Sequence, residues 1–146
     1  MLDPFGRTID YLRISVTDRC NERCLYCMPE GYKGWAKRAD HLSAAQLVAV
    51  ARAAARLGFT KFRLTGGEPL LRADVVEIAR GIGALDTLHS LGISTNGTRL
   101  APLAAELATA GVRSANVSLD ALDADVYRRV TGGDLGAVLA GIDAAA

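Results

Sequence analysis

The chain has 146 residues, half of them apolar and 23% charged, with a formal net charge of +1. That length suits one domain with a core of its own, and the composition excludes a disordered chain. The charge balance argues against a nucleic-acid-binding face. The longest uncharged runs, Leu42–Ala51 and Thr87–Thr98, fall short of the roughly 20 apolar residues of a membrane span.

In chain order, residues Met1–Asp10 have no basic stretch leading into an apolar one, so no secretory signal is expected. Leu12–Thr17 alternates apolar and polar residues as a strand does, and a cysteine-bearing loop then runs to about Asp40. Ser43 with Gln46 forms a capping box, and Leu47, Val50, Ala51, Ala54 and Leu57 keep helical spacing up to Gly58. A second strand, Lys61–Thr65, runs into Gly66-Gly67-Glu68-Pro69 and a helix over about Asp74–Ile82. A third strand ends near Ile93–Thr95 and turns at Asn96-Gly97, with a helix over about Leu100–Ala110 stopped by Gly111. Val112–Leu119 makes a fourth strand, followed by helices over about Asp123–Val130 and Leu135–Ala146. This alternation predicts a parallel α/β sheet, open or barrel-shaped.

The strand faces narrow the choice. Leu12, Ile14 and Val16 oppose Arg13, Ser15 and Thr17; Phe62 and Leu64 oppose Lys61, Arg63 and Thr65; Ala115, Val117 and Leu119 oppose Ser114, Asn116 and Ser118. Strands of a doubly wound sheet are buried on both faces and read as continuous apolar runs. A closed eight-stranded barrel fills its interior with bulky apolar layers. Three polar faces fit neither. They predict βα units forming part of an incomplete TIM-type barrel, apolar outside against helices and with a polar lumen. The alternative is a set of half-exposed antiparallel strands, which would leave the helices without a surface to pack on.

The only cysteines are Cys20, Cys24 and Cys27, all within eight residues. An odd, crowded set in a chain without a secretion signal is poor disulfide material and points to a reducing, cytoplasmic setting. Structural zinc takes four protein ligands, and His41 is the only nearby fourth candidate. Three thiolates better suit a [4Fe–4S] cluster with one open iron, free for a small molecule.

Cys20-x3-Cys24-x2-Cys27 after a first strand resembles the radical S-adenosylmethionine superfamily. Tyr26 sits where that superfamily prefers an aromatic whose backbone meets adenine, and Gly66-Gly67-Glu68-Pro69 resembles its motif for the methionine amino group. The flanks are more specific. Tyr11–Pro29 (YLRISVTDRCNERCLYCMP), Arg63–Leu70, Ser94–Gly97 and Asn116–Asp120 resemble, in order, the GTP-cyclase branch of molybdopterin biosynthesis. The resemblance covers the whole chain and about the first half of that branch's length.

The resemblance implies Cys20, Cys24 and Cys27 as cluster ligands. It implies Tyr26, Gly66, Gly67, Glu68 and Ser118 around S-adenosylmethionine, and Arg13, Arg63 and Ser94 around GTP. Ser94 stands where the branch usually has threonine and keeps the hydroxyl. No protein acid or base is implied, because the cofactor carries the chemistry. An electron donor such as a flavodoxin or ferredoxin and a homodimer are expected on the resemblance alone, with no nucleic acid or membrane partner. Arg19, Arg23, Arg52 and Arg80 are expected as surface ion pairs. The branch holds a second [4Fe–4S] cluster in its C-terminal part, and this chain has no cysteine after Cys27. Residues 1–146 therefore read as the N-terminal part of the core domain of a longer enzyme, expected to bind a cluster but not to turn over GTP alone. The competing expectations are another radical enzyme, of the peptide-maturing type, or a non-catalytic iron–sulfur or zinc module.

Overall fold

The computed structural model describes residues 2–27 and 41–146. Met28 and Pro29 of the cysteine signature lie outside the described residues. Four strands form one sheet in sequence order: β1 (Tyr11–Ser15), β2 (Lys61–Thr65), β3 (Ser90–Thr95) and β4 (Ser114–Val117). All three pairings are parallel, so the antiparallel alternative falls. The sheet is an open arc with β1 and β4 at its edges. The helices α1 (Ala44–Arg56), α2 (Val75–Gly83) and α3 (Ala104–Thr109) connect successive strands, and α4 (Ala124–Thr131) and α5 (Leu135–Ala145) follow β4.

The helices take the apolar strand faces. Ile14, Phe62, Leu64, Leu91 and Ile93 are buried in one core with Leu47, Ala51 and Ala54 of α1, Val75, Ile78 and Ile82 of α2, and Leu107 of α3. Tyr127, Leu135 and Val138 make a smaller core between α4 and α5. The other face carries polar rows set by the register. Arg13 pairs with Arg63, Arg63 with Gly92, and Gly92 with Ser114; one layer on, Ser15 pairs with Thr65 and Ser94 with Asn116. The polar lumen read from alternation is therefore one continuous face of the sheet.

Two boundaries differ from expectation for local reasons. The helix expected from Leu100 begins at Ala104. Pro102 lacks an N–H and disfavours helical backbone at Ala101, so Leu100 and Leu103 instead donate backwards into tight turns at Gly97 and Leu100. The fourth strand is shorter than Val112–Leu119, since β4 is an edge with one partner and Ser118 makes the last hydrogen bond to β3, at the Thr95 carbonyl. The capping box of α1 forms as expected, with Ser43 and Gln46 each accepting from the other's backbone.

Candidate active site

The loop after β1 lies at the carboxyl ends of the strands, the usual place for sites on parallel sheets. It is held from three sides by hydrogen bonds its own sequence does not announce. The first side is the turn after β2. Gly67 N–H donates to the Thr17 carbonyl at 2.8 Å and Glu68 N–H to the Arg19 carbonyl at 2.7 Å. A Cβ on Gly66 would meet the Thr17 carbonyl oxygen at 2.3 Å, and one on Gly67 the Arg19 carbonyl oxygen at 2.3 Å. Both glycines are needed because the cysteine loop crosses directly over them, and Gly66 also holds a φ of +153°. Gly67 remains exposed on its outer side.

Glu68 locks the second side. It is 0% exposed. One carboxylate oxygen accepts from Leu70 N–H at 2.9 Å and the Thr95 hydroxyl at 2.8 Å, and the other from Asn96 N–H at 2.6 Å. The side chain of Asn96 continues outward, donating to Asn21 Oδ1 at 3.0 Å and facing Cys20 Sγ at 3.9 Å. A carboxylate under the sheet ends thus orients the backbone whose amide reaches the first cysteine.

The third side is the C-terminal end of α4, whose last carbonyls have no helical partners. Arg23 N–H donates to the Thr131 carbonyl at 2.7 Å and Leu25 N–H to the Val130 carbonyl at 2.9 Å. The Tyr127 hydroxyl donates to buried Glu22 at 2.9 Å, and the other Glu22 oxygen lies 3.9 Å from Cys24 Sγ. Arg23 corrects an expectation: among the described residues its guanidinium makes no ion pair but donates to the carbonyls of Cys20 at 2.8 Å and Glu22 at 2.9 Å. Tyr127→Phe is expected to leave a buried carboxylate without its donor and to lower stability by about 1–3 kcal/mol, read from the urea midpoint at constant slope.

None of the three cysteines is in a disulfide; Cys20 and Cys24 are half-buried and Cys27 is exposed. Burial pushes the Cys20 and Cys24 thiols above their usual range, so they stay protonated until a metal displaces the proton. Among the described residues no three of His, Cys, Asp and Glu converge on a single-ion position, whereas thiolates that each hold a different iron need no such convergence. His41, the candidate fourth ligand for zinc, pairs with Asp18 at 3.2 Å. Soft donors, no disulfide and a loop start clamped between the turn after β2 and the end of α4 fit an iron–sulfur cluster better than zinc.

The remaining predicted residues surround this loop or line the lumen. Tyr26 is exposed and its hydroxyl donates to Asp120 at 3.0 Å, linking the cysteine loop to the segment after β4 beside exposed Ser118. Ser94 is half-buried on the lumen face one layer above Gly92. Arg63 reaches across the lumen, with Nε donating to the Tyr11 hydroxyl at 2.5 Å and Nη1 to the Ile93 carbonyl at 3.1 Å. Arg13 is its exposed cross-strand neighbour. Sequence reasoning missed Glu22, Asn96, Tyr127 and Arg72, the last of which donates to the carbonyls of Val16 and Leu42 at 2.7 Å each and so ties the start of the loop to the segment before α1.

The family profile described as the radical SAM superfamily matches residues 14–146. A GTP 3',8-cyclase of Rhodopseudomonas palustris is 53% identical over 152 residues, covering 99% of this chain and 43% of that protein. A GTP 3',8-cyclase of Geobacter sulfurreducens is 50% identical over 147 residues, covering 99% of this chain and 45% of that protein. The chain thus spans less than half the length of these curated relatives. Among solved structures, Streptococcus suis SuiB bound to precursor peptide SuiA superposes with a TM-score of 0.66 at 18% identity, over 86% of this chain and 27% of that one. BtrN in complex with AdoMet and 2-DOIA gives 0.61 at 21% identity, over 85% and 51%. At these identities the two structures speak for the fold alone. No helix among the described residues is long and apolar enough to cross a membrane.

Proposed function

Because the chain belongs to the radical SAM superfamily, we propose that it supplies the cluster loop, the S-adenosylmethionine site and the phosphate side of the substrate site of a GTP 3',8-cyclase. The observation that carries this reading is the pairing of two features on one face of the sheet. Three clamped cysteines stand at the strand ends, and Arg13 and Arg63 stand side by side below them. The relatives named GTP 3',8-cyclase, about half identical over almost the whole chain, support the same reading. The product of such a cyclase feeds molybdenum-cofactor synthesis.

Cys20, Cys24 and Cys27 would hold a [4Fe–4S] cluster whose fourth iron is open to S-adenosylmethionine. The chemistry that this cluster supplies when loaded is one electron for cleaving S-adenosylmethionine, so that its adenosyl group takes a hydrogen atom from the GTP ribose. The chain's residues bind, orient and exclude water. Gly67, exposed beside the cysteine loop, offers backbone to the methionine end. Both Glu68 oxygens accept hydrogen bonds within the protein, so it acts on that end by shaping the turn. The backbone at Tyr26 and the hydroxyl of Ser118 flank the adenosine side, tied together through Asp120. Arg13 and Arg63 receive the triphosphate, whose oxygens suit the planar guanidinium fork, and the Ser94 hydroxyl lies one layer nearer the cluster. A reducing, cytoplasmic setting and a small electron-transfer protein, a flavodoxin or ferredoxin, complete the reading.

In an enzyme of the relatives' full length that carries this chain, Arg13→Ala and Arg63→Ala are each expected to weaken GTP binding roughly ten- to a hundredfold, with iron content unchanged. Equilibrium binding of GTP to the cluster-loaded variants checks this. Unchanged affinity in both would place the arginines outside the site.

A further inference from the structure

Lumen residues beyond those already assigned also bear on the phosphate end of the substrate. Arg13 and Arg63 occupy directly opposed positions on neighbouring parallel strands. Like charges so placed repel, and a long side chain on a strand face has many rotamers to choose from. Arg63 is nevertheless fixed at two nitrogens, Nε on the Tyr11 hydroxyl at 2.5 Å and Nη1 on the Ile93 carbonyl at 3.1 Å. Its guanidinium reaches Gly92, the residue registered beside it on β3. A Cβ built on Gly92 would stand 3.0 Å from Arg63 Nη2 and 3.2 Å from Cζ. The gap left by the missing side chain is what lets the guanidinium lie across the sheet. Lys61, the remaining cation on that face of β2, is drawn aside to Asp10 at 3.0 Å.

We infer that Tyr11 and Gly92 are positioning residues for polyphosphate recognition: the Tyr11 phenol and the clearance over Gly92 hold the Arg63 guanidinium across the sheet with Nη2 over Gly92, so that Arg63 and Arg13 on the neighbouring strand grip a triphosphate together. The inference rests on the proposed GTP reading and deepens it, since it says what turns two abundant arginines into one anion site. Tyr11 acts through Arg63, not on the ligand. Gly92 is required for space and not for backbone freedom, because its φ is not positive.

The test is a double-mutant cycle read with inorganic tripolyphosphate by calorimetry at low ionic strength, and with GTP on the cluster-loaded protein. Tyr11→Phe keeps the ring and removes only the hydroxyl, and is expected to raise the dissociation constant for both ligands about fivefold. In an Arg63→Ala background Tyr11→Phe should change nothing further, whereas in an Arg13→Ala background its effect should persist. Gly92→Ala, whose methyl displaces only the flexible ends of Arg63 and Ser114, should weaken both ligands similarly while the thermal midpoint stays within the ordinary range of surface changes. In steady-state work on an enzyme of the relatives' full length that carries this chain, the effect should fall on KM for GTP and leave kcat and the reduced cluster's electron paramagnetic resonance spectrum unchanged. Equal affinity of wild type, Tyr11→Phe and Gly92→Ala would overturn the positioning role and leave the GTP reading standing. A Tyr11→Phe effect that survives in Arg63→Ala would also overturn it. Insensitivity of both ligands to Arg13→Ala and Arg63→Ala would overturn the phosphate site itself.

Discussion

Cys20→Ser protein, reconstituted anaerobically with iron and sulfide, is expected to lose its cluster, while the wild-type chain holds about four irons. Serine keeps the size and the hydrogen bonding of cysteine but replaces a soft thiolate with a hard, weakly acidic hydroxyl. The effect should be close to complete, because only three protein ligands are available and each holds a separate iron. Cys20 also has the most constrained surroundings of the three, with Asn96 at 3.9 Å and its carbonyl bound by Arg23 at 2.8 Å. Iron and acid-labile sulfide analysis with the visible spectrum checks this. A zinc complex formed equally well by wild type and Cys20→Ser would support the non-catalytic metal module instead.

Glu68→Ala should be the most damaging single change outside the core, costing about 3–5 kcal/mol. It strips the acceptor from Leu70 N–H, Asn96 N–H and the Thr95 hydroxyl at once, in a place no water reaches. The carboxylate also carries a pH signature. Burial, the largest influence on it, raises its pKa above the ordinary 4.5, and the donors from Asn96, Leu70 and Thr95 only partly oppose this. The unfolded chain therefore releases the proton first, and the stability due to Glu68 is greatest below pH 4.5 and declines as pH rises toward the shifted value. Glu22 moves in the same direction, again chiefly through burial. Urea midpoints for wild type and Glu68→Gln, measured below and above pH 4.5, should converge as pH rises. A gap that widened with pH would mean that the native state favours the ionised carboxylate.

Much of the fold was legible in the sequence because local rules decide it. Period-two alternation at Leu12–Thr17 and Lys61–Thr65 has one physical solution when helices intervene: apolar sides to the helices, Arg13 and Arg63 to the lumen. Ser43 and Gln46 mark the start of α1 because their hydrogen bonds close within four residues. The clamp on the cysteine loop was not legible, because its partners are far apart along the chain. Nothing near Glu22 in sequence distinguishes a solvated glutamate from one that meets the Tyr127 hydroxyl across 105 positions. Arg23 reads as one more surface arginine, yet it binds two carbonyls of its own loop. Gly92 carries no signal at all in a third strand otherwise read only by its end. Its meaning depends on the register that brings Arg63 beside it.

The central claim is that three clamped cysteines hold a cluster with an iron left open for S-adenosylmethionine. The most direct measurement is the electron paramagnetic resonance spectrum of the dithionite-reduced, anaerobically reconstituted chain, recorded with and without S-adenosylmethionine. The account predicts a reduced-cluster signal whose g-values shift when S-adenosylmethionine is added, and which is absent in Cys20→Ser. A cluster signal that S-adenosylmethionine leaves unchanged at saturating concentration would contradict it.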